Sequence, residues 1–323
     1  MKEYVSALIL ETRAAFGRVS EAITDTVYFG GGTPSLMSPE DIAAILSAVS
    51  DGAPYAPEEI TLECNPDPNT DFSAYRDAGV NRISMGVQSL NDGVLVSAGR
   101  RHTASDALKA VSKACEAFEN VSVDLMLGLP GQSVSDVVSD VRTLAPSVKH
   151  FSAYMLKLEK GTKLFRSVSD KTVLLPSEDE TADMYDACMA EMDKFGIQRY
   201  EISNFSREGY ASKHNLKYWM RDEYLGLGAA AHGFADGYRY HNPSSVSRYV
   251  SGENFGAGRT VNEYVSLADA KEEAIMLALR TDKGLDTDRF DAEFDADFFS
   301  DYRDEIAALA SLTERDGSFF RIK

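Results

Sequence analysis

The sequence has little cysteine, a shortage of basic residues and no long apolar run. Among 323 residues only Cys64, Cys115 and Cys188 are cysteines, and they are too few and too widely spaced for a disulfide framework or a metal-site motif. No run of about 18 apolar residues occurs, so we expect no transmembrane helix. The first sixteen residues carry charges in a helical pattern and lack the features of a secretory leader. We therefore expect a cytoplasmic protein.

The charge balance is strongly acidic. The chain has 33 Lys and Arg against 51 Asp and Glu, which gives a formal net charge of −18. A surface that holds nucleic acid needs clustered basic residues, so we expect no nucleic-acid partner. Hydrophobic residues make up 44% of the chain, which is enough to bury a core and excludes general disorder.

Short apolar runs alternate with amphipathic helical patterns in the first half. The runs lie at 26–29, 60–63, 82–87, 121–126 and 151–156, and the helical patterns begin near Pro39 or lie at 72–78, 91–97, 104–118 and 137–144. Ser38 is a suitable N-cap for the first of these helices, and Pro39 suits its first turn. Repeated βα units predict a parallel sheet with right-handed crossovers. Near-continuous apolar strands predict that both faces are covered, as in a doubly wound sheet or a β/α barrel.

The second half has a different pattern. A long helix is predicted at 177–195, and the segment RYEISNF (199–205) predicts a strand that leads into a loop. Residues 210–240 are rich in Tyr, Gly and His, and the chain becomes helical and acidic from about residue 244. We therefore predict two domains, at residues 1–245 and 246–323, of which the second is helical.

Unusual polar residues stand where the predicted strands end. Because the carboxyl ends of barrel strands form one face, these side chains are expected at one rim. They are Gly31, Gly32 and Thr33 after the first strand, Glu63 and Gln88 at the ends of the next two, and Asp124 inside the fourth. A glycine turn alone is compatible with an ordinary turn, and Glu63 alone with a solvent-facing strand end. Their joint placement favours a binding site.

The residue types at this rim suit a small zwitterionic ligand that carries a nucleoside. Glycines let the backbone come close to a ligand. Glu63 and Asp124 can accept hydrogen bonds from ammonium or ribose hydroxyl groups, and Arg100 can bind a carboxylate bidentately. An apolar strand that contains Asp124 also implies a partner for that carboxylate, because a buried charge is costly when unpaired.

The segment HNLKYW (214–219) is a second candidate site. His214 supplies an imidazole that can ligate heme iron, and Tyr218 and Trp219 supply rings that can stack on a porphyrin. A structural histidine beside two core aromatics explains the same residues, so both interpretations stay open. His232 and His241 are further candidates to line this region.

Several segments together resemble one family. They are YFGGGTPSLMSPE, ITLECNPD, NRISMGVQSLND with GRRH, VDLMLGLPGQ, HFSAYMLKLEKGT, RYEISNF, HNLKYW and YLGLGAAAHGF. They resemble the radical S-adenosylmethionine (SAM) superfamily, in particular the oxygen-independent coproporphyrinogen III oxidase family and its heme chaperone members. The resemblance implies a partial (β/α)6 TIM-type barrel with a helical C-terminal domain. It also implies SAM contacts at the seven positions Gly31, Gly32, Thr33, Glu63, Gln88, Arg100 and Asp124.

The sequence departs from this family at the cluster loop. The family carries a Cys-x3-Cys-x2-Cys loop after its first strand, and those thiolates ligate a 4Fe–4S cluster. In relatives this loop precedes the segment that resembles YVSALILE, where this chain begins. Truncation of a longer protein and genuine loss of the cluster both explain the difference. We expect no cluster ligands and no reductive SAM cleavage in this chain, a cluster only in a longer form, and an edge strand at 26–29.

The resemblance implies two functions of different classes. One is a heme chaperone that holds heme near His214 and SAM at the rim, and delivers heme to a respiratory acceptor protein at the membrane. The alternative is a coproporphyrinogen III dehydrogenase of porphyrin biosynthesis, an enzyme that uses a SAM-derived radical for oxidative decarboxylation. HNLKYW favours the chaperone, and whether the chain is an enzyme stays open.

Overall fold

The computed structural model describes residues 1–16, 23–52, 54–251 and 260–323. They form two compact units. The first unit combines Met1–Val27, Met37–Glu58 and Ser212–Lys323, and the second combines Tyr28–Leu36 and Glu59–Ala211. The domain boundary proposed after residue 245 stays a prediction.

The largest sheet is mostly parallel. Its strands are β1 (Thr24–Phe29), β2 (Tyr55–Cys64), β3 (Arg82–Gln88), β4 (Asn120–Leu127), β5 (His150–Met155), β6 (Gln198–Glu201) and β7 (Asn204–Ser206). Their order is β1-β2-β3-β4-β5-β7-β6, which leaves β1 at one end. Strands β2 to β5 pair in parallel, and β7 runs antiparallel to both β5 and β6.

Helices follow most of the parallel strands, as the sequence predicts. They are α1 (Lys2–Phe16), α2 (Pro39–Ser50), α3 (Phe72–Asp77), α4 (Asp92–Ser97), α5 (Ala104–Ala117), α6 (Val134–Leu144), α7 (Lys163–Ser169), α8 (Glu178–Asp193), α9 (Lys213–Trp219), α10 (Val246–Val250), α11 (Leu267–Ala278), α12 (Thr287–Phe294), α13 (Phe298–Asp301) and α14 (Arg303–Ala308). Ser38 caps α2 as predicted: its hydroxyl accepts from the Asp41 N–H at 3.2 Å, and the Asp41 carboxylate accepts from the Ser38 N–H. This reciprocal pair satisfies two otherwise unpaired donors.

The segment RYEISNF forms a hairpin rather than a strand that leads into a loop. β6 and β7 pair antiparallel, with Arg199 opposite Phe205. The Asn204 amide donates to the Glu201 carboxylate across the intervening turn. Two polar side chains therefore close a tight connection that strand periodicity alone does not reveal.

The inner strands alternate polar and apolar side chains, which corrects the expectation of near-continuous apolar strands. Leu62, Ile83, Val123 and Phe151 on one face are fully buried. The intervening positions carry polar or charged side chains that are also buried: Glu59, Thr61, Arg82, Ser84, Ser122, His150 and Ser152. The second unit therefore contains a buried polar face as well as an apolar one.

Hydrogen bonds within the second unit satisfy much of this polar face. The Arg82 guanidinium lies 3.9 Å from the Glu59 carboxylate. Nδ1 of His150 bonds to Ser122 at 2.7 Å, and Nε2 bonds to the Tyr200 hydroxyl at 2.8 Å. Burial, and then the positive charge of Arg82, holds the pKa of His150 well below its usual range. The ring is therefore neutral, with one nitrogen donating and the other accepting.

A buried carboxylate connects distant segments of the first unit. Glu11 on α1 accepts from the Gly228 N–H at 2.8 Å, from the Asn242 amide at 2.7 Å and from the Tyr249 hydroxyl at 2.6 Å. A buried carboxylate needs such donors to offset its lost hydration. Helix α1 is therefore fixed to residues more than two hundred positions later in the chain.

Two small antiparallel sheets complete the first unit. One has the order β10-β9-β8 and the other β11-β13-β12. Their strands are β8 (His232–Ala235), β9 (Tyr238–His241), β10 (Thr260–Tyr264), β11 (Leu285–Asp286), β12 (Thr313–Asp316) and β13 (Phe319–Ile322). Phe290, Phe294, Phe298 and Phe320 pack together beside the second of these sheets. Across the described residues no helix is long and apolar enough to cross a membrane, and the cytoplasmic location stays a prediction.

Candidate functional site

A glycine turn follows β1. Gly31 and Gly32 have φ angles of +76° and +134°, which residues with a β-carbon rarely adopt. A β-carbon added at either glycine meets no atom of the described residues within 4 Å, so open space borders this backbone. The Thr33 hydroxyl accepts from the Asn65 amide at 3.3 Å, which ties the turn to the end of β2.

Glu63 receives hydrogen bonds from both sides of this turn. The Tyr28 hydroxyl donates to Oε1 at 2.8 Å, and the Gly31 N–H donates to Oε2 at 3.3 Å. A β-carbon at Gly30 would stand only 3.0 Å from Oε1 of Glu63 and 2.7 Å from the Tyr28 ring, so this close approach requires glycine. Burial, and then the charge of Glu63, raises the pKa of the Tyr28 hydroxyl. Tyr28 is therefore a permanent donor to the carboxylate.

Asp124 on β4 is a second carboxylate, close enough to Glu63 for the charge of Glu63 to raise its pKa. It is half-buried and accepts from the Ser84 hydroxyl at 3.4 Å. Burial raises the pKa of Asp124 to about 6, and the nearby charge of Glu63 also raises it, while Ser152 and Arg82 oppose the shift. A partly desolvated carboxylate binds a cationic or hydroxyl ligand more strongly than a fully hydrated carboxylate does. The reason is that the cost of removing its water is already present in the folded protein.

Gln88 ends β3 in an unusual backbone conformation. Its φ is +69° and its side chain is buried. The regular pairing of β3 with β4 breaks between Met85 and Gln88, which places Gln88 opposite Leu125, the neighbour of Asp124. A left-handed conformation costs a non-glycine residue roughly 1–2 kcal/mol, and such strain occurs preferentially at functional sites.

Arg100 lies in the loop after α4, within electrostatic reach of Asp124. Burial lowers the pKa of the Arg100 guanidinium, and the Asp124 charge opposes that shift. Nε2 of His102 bonds to the Val87 carbonyl at 3.1 Å, next to Gln88. His102 thus connects the Arg100 loop to the end of β3, and we interpret it as a residue that positions this loop.

The second unit therefore brings most of the predicted rim residues together. Glu63 is hydrogen-bonded to the glycine turn. Its charge raises the pKa of Asp124, and the charge of Asp124 in turn acts on the Arg100 guanidinium. Four further residues of this cluster were not predicted from the sequence: Tyr28, Asn65, Ser84 and Ser152. For Ser84 and Ser152 a signal was present, namely the two-residue alternation of polar side chains along the strands, which places Ser84 two residues from Arg82 and Ser152 two residues from His150.

The three cysteines do not form a cluster site. Cys64 ends β2, Cys115 lies on α5 and Cys188 lies on α8, and each is a free thiol. Burial raises the pKa of the Cys64 and Cys115 thiols and raises that of Cys188 to about 12. Iron–sulfur clusters are held by thiolates. Within the residues that the structure describes, no group of three or more His, Cys, Asp or Glu side chains could hold a metal ion, so these residues do not fit a 4Fe–4S cluster.

The HNLKYW segment forms helix α9 in the first unit. Nδ1 of His214 lies 2.9 Å from the Thr26 hydroxyl, and Nε2 lies 2.9 Å from the Tyr218 hydroxyl. Tyr218 is 39% exposed and meets Tyr224 edge-on, with ring centroids 4.7 Å apart. Nδ1 is thus tied to β1, whereas Nε2 bonds to a side chain that has solvent on one side.

Two further residues of α9, Lys217 and Trp219, contact charged partners. The Lys217 ammonium lies 2.5 Å from the Asp25 carboxylate on β1. The Arg280 guanidinium lies over the Trp219 ring, 4.8 Å from its centroid, in a cation–π contact. Trp219 is half-buried. The three candidate heme residues therefore stand on one short helix. Thr26, Asp25 and Arg280 are supporting residues that were not predicted from the sequence.

Two family models match the chain. Residues 6–144 match the radical SAM superfamily model, and residues 265–321 match the HemN C-terminal domain. The solved structure of coproporphyrinogen III oxidase (HemN) from Escherichia coli, described as a radical SAM enzyme, superposes with a TM-score of 0.81 at 18% identity over 100% of this chain and 79% of that one. At this identity the likeness shows the fold alone, and it confirms the expected α/β partial barrel with a helical C-terminal region.

Curated relatives match at higher identity. The heme chaperone HemW of Lactococcus lactis is 37% identical over 88% of this chain and 76% of its own length. HemW of Bacillus subtilis is 35% identical over 89% of this chain and 78% of its own. The mouse mitochondrial radical S-adenosyl methionine domain-containing protein 1 is 39% identical over 87% and 66%. The chain therefore belongs to the radical SAM superfamily, in the family of the HemW proteins.

Proposed function

We propose that the chain is a heme-carrying protein that binds heme through His214 and binds SAM at the rim of the second unit. The observation that carries the proposal is the state of the His214 ring. One ring nitrogen is hydrogen-bonded to Thr26, and the other to the hydroxyl of Tyr218, a partly exposed residue. Iron-ligating histidines commonly hold their second nitrogen in such a hydrogen bond, which fixes the ring orientation. The relatives' name, heme chaperone, supports the same interpretation.

The rim of the second unit supports SAM binding through complementary groups. Open backbone at Gly31 and Gly32 provides N–H and C=O groups to a ligand. Glu63 and Asp124 accept hydrogen bonds from ammonium or ribose hydroxyl groups, and Arg100 pairs with a carboxylate. SAM supplies a sulfonium nucleoside with a methionine ammonium and carboxylate, which are the groups that this set of side chains complements. In the superfamily, SAM and a 4Fe–4S cluster act together, and we propose that a cluster is present only in a longer form of the protein.

Delivery of the bound heme to a respiratory acceptor protein at the membrane completes the proposal. The coproporphyrinogen dehydrogenase alternative has weaker support, since its solved representative shares only 18% identity with this chain. An anaerobic assay of a longer form that carries the cluster, with SAM, a reductant and coproporphyrinogen III, separates the two functions. Formation of protoporphyrinogen would overturn the carrier proposal in favour of the dehydrogenase.

A heme titration followed at the Soret band tests the heme site. We expect His214→Ala to weaken heme binding at least about tenfold and to shift the band, because an axial ligand is lost. His102→Ala is the matched control, since it also removes one imidazole but lies in the second unit. Unchanged affinity and spectrum in His214→Ala would remove His214 as the ligand.

A further inference from the structure

Two histidines of the first unit lie face to face on a β-hairpin. His232 on β8 and His241 on β9 have ring centroids 5.4 Å apart and an angle of 29° between their planes. His232 is exposed and His241 is half-buried. Their placement along the region of HNLKYW stays a prediction, and neither is the proposed heme ligand.

The hairpin geometry accounts for this closeness. A two-residue turn at Asp236 and Gly237, with φ angles of +53° and +76°, joins the strands, and His232 pairs with His241 in register. The neighbouring pair is hydrogen-bonded, since the Asn242 N–H donates to the Ala231 carbonyl at 2.8 Å. Bonded and non-bonded pairs alternate along an antiparallel ladder. The two histidines therefore form a non-bonded pair, where opposite side chains come closest.

A third residue fixes the proton on one of these rings. Nδ1 of His241 lies 2.6 Å from Oδ1 of Asn262 on β10. An amide oxygen only accepts, so Nδ1 carries a proton, and the tautomer compatible with this bond has its lone pair on Nε2. Outer hydrogen bonds of this kind orient metal-ligating histidines and set their tautomer. The bond to Asn262 therefore selects Nε2 of His241 as the ligand atom.

We propose that His232 and His241 bind a divalent transition-metal ion through their two imidazoles. Imidazole nitrogen suits zinc, copper and nickel, and the net charge of −18 raises the local concentration of cations around the protein. Within the described ranges of the chain no third or fourth His, Cys, Asp or Glu joins the pair. The site is thus an open one, whose other coordination positions belong to water or an incoming ligand, unlike a closed structural zinc site.

Copper is the probe of choice, since it binds nitrogen sites most tightly among these ions. The experiment titrates a tag-free protein of residues 1–323 with Cu²⁺ and records both the binding heat and the electron paramagnetic resonance spectrum. We expect one strong site whose spectrum shows coupling to two imidazole nitrogens. His232→Ala, which truncates an exposed side chain and leaves the core intact, should remove the two-nitrogen signal. Asn262→Ala should keep both ligands and weaken binding by about tenfold, as for other outer-sphere changes.

Two single-imidazole variants serve as controls. His102→Ala and His214→Ala should keep the two-nitrogen copper signal, and the latter also separates this site from the proposed heme ligand. The proposal is overturned if wild-type protein shows no strong copper site. It is also overturned if His232→Ala and His241→Ala, both folded by circular dichroism, retain wild-type affinity and spectrum.

Discussion

His214 has both of its ring nitrogens in hydrogen bonds, to Thr26 and to Tyr218. For the proposed heme site this means that Nε2 must exchange a tyrosine hydroxyl for iron. Tyr218 is partly exposed, so its ring can turn away towards solvent at small cost. The tyrosine hydroxyl and the heme iron thus compete for the same lone pair.

Removing that hydroxyl should strengthen heme binding. In Tyr218→Phe the ring remains for stacking, while the competing hydrogen bond, worth about 1 kcal/mol, is lost. We expect a roughly fivefold gain in heme affinity by Soret titration. Tyr224→Phe, which removes a hydroxyl from the neighbouring ring, should change the affinity little. A weaker affinity in Tyr218→Phe would instead assign the hydroxyl a direct role in holding heme.

The carboxyl of Asp124 should make SAM binding depend on pH. Its pKa is raised to about 6, chiefly by burial, so it is ionised above that pH and becomes protonated below it. If the ligand needs the ionised form, affinity is constant above pH 7 and falls up to about tenfold per pH unit below 6. Isothermal titration with SAM between pH 5 and 8 measures this.

Two variants isolate that effect. Asp124→Asn should bind SAM weakly and with no dependence on pH over this range. Asp140, whose pKa burial also raises to about 6, bonds to Ser89 at 2.9 Å and is not among the proposed contacts, so Asp140→Asn should retain the wild-type profile. A flat wild-type profile would show that the charge of Asp124 is not needed for binding.

Some of the rim residues could be predicted from the sequence, and others could not. Glu63 and Asp124 could be selected because a carboxylate in an apolar strand is unusual. Tyr28 and Asn65 could not, since each is an ordinary residue whose importance comes from a contact across 32 or more positions. The left-handed backbone of Gln88 has no local sequence signal at all, because it results from the break in the β3–β4 pairing.

At the scale of secondary structure, the βα alternation was predictable over residues 26–156, where capping residues and amphipathic periods mark each helix. Two features could not be predicted. The first is the β6–β7 hairpin, which depends on contacts between side chains three residues apart. The second is the buried polar face of β2 to β5, because small polar residues such as Ser84 and Ser122 interrupt an apolar pattern only weakly. Burial of polar groups becomes visible once their hydrogen-bond partners are known.

The capping box of α2 permits a stability test at this scale. Ser38→Ala removes the side-chain acceptor for the Asp41 N–H and should lower the free energy of unfolding by about 1 kcal/mol, measured by urea denaturation. Ser47→Ala, at an exposed interior position of the same helix, should raise it by a few tenths of a kcal/mol because alanine is the better helix former. Equal effects of the two variants would contradict the cap assignment.

At the scale of the whole molecule, the two proposed ligands belong to different compact units. SAM at about one hundred times its dissociation constant should stabilise the protein by about 2.7 kcal/mol, measured as a rise in the thermal midpoint. Asp124→Asn should lose this rise and keep the one caused by heme, and His214→Ala should show the reverse. Loss of both rises in either variant would indicate that the variant is misfolded or that both ligands share one site.

The buried carboxylate of α1 has a consequence for synthesis on the ribosome. Its three hydrogen-bond donors lie 217 to 238 residues further along the chain. At about 5–20 residues per second, these donors emerge roughly ten to fifty seconds after the helix does. The intervening chain includes nearly all of the second unit, which can therefore complete its own folding first. During that interval α1 can pack on α2, which follows it closely in the chain, but Glu11 lacks these three donors. A nascent-chain crosslinking probe at this residue should therefore report transient binding by a chaperone.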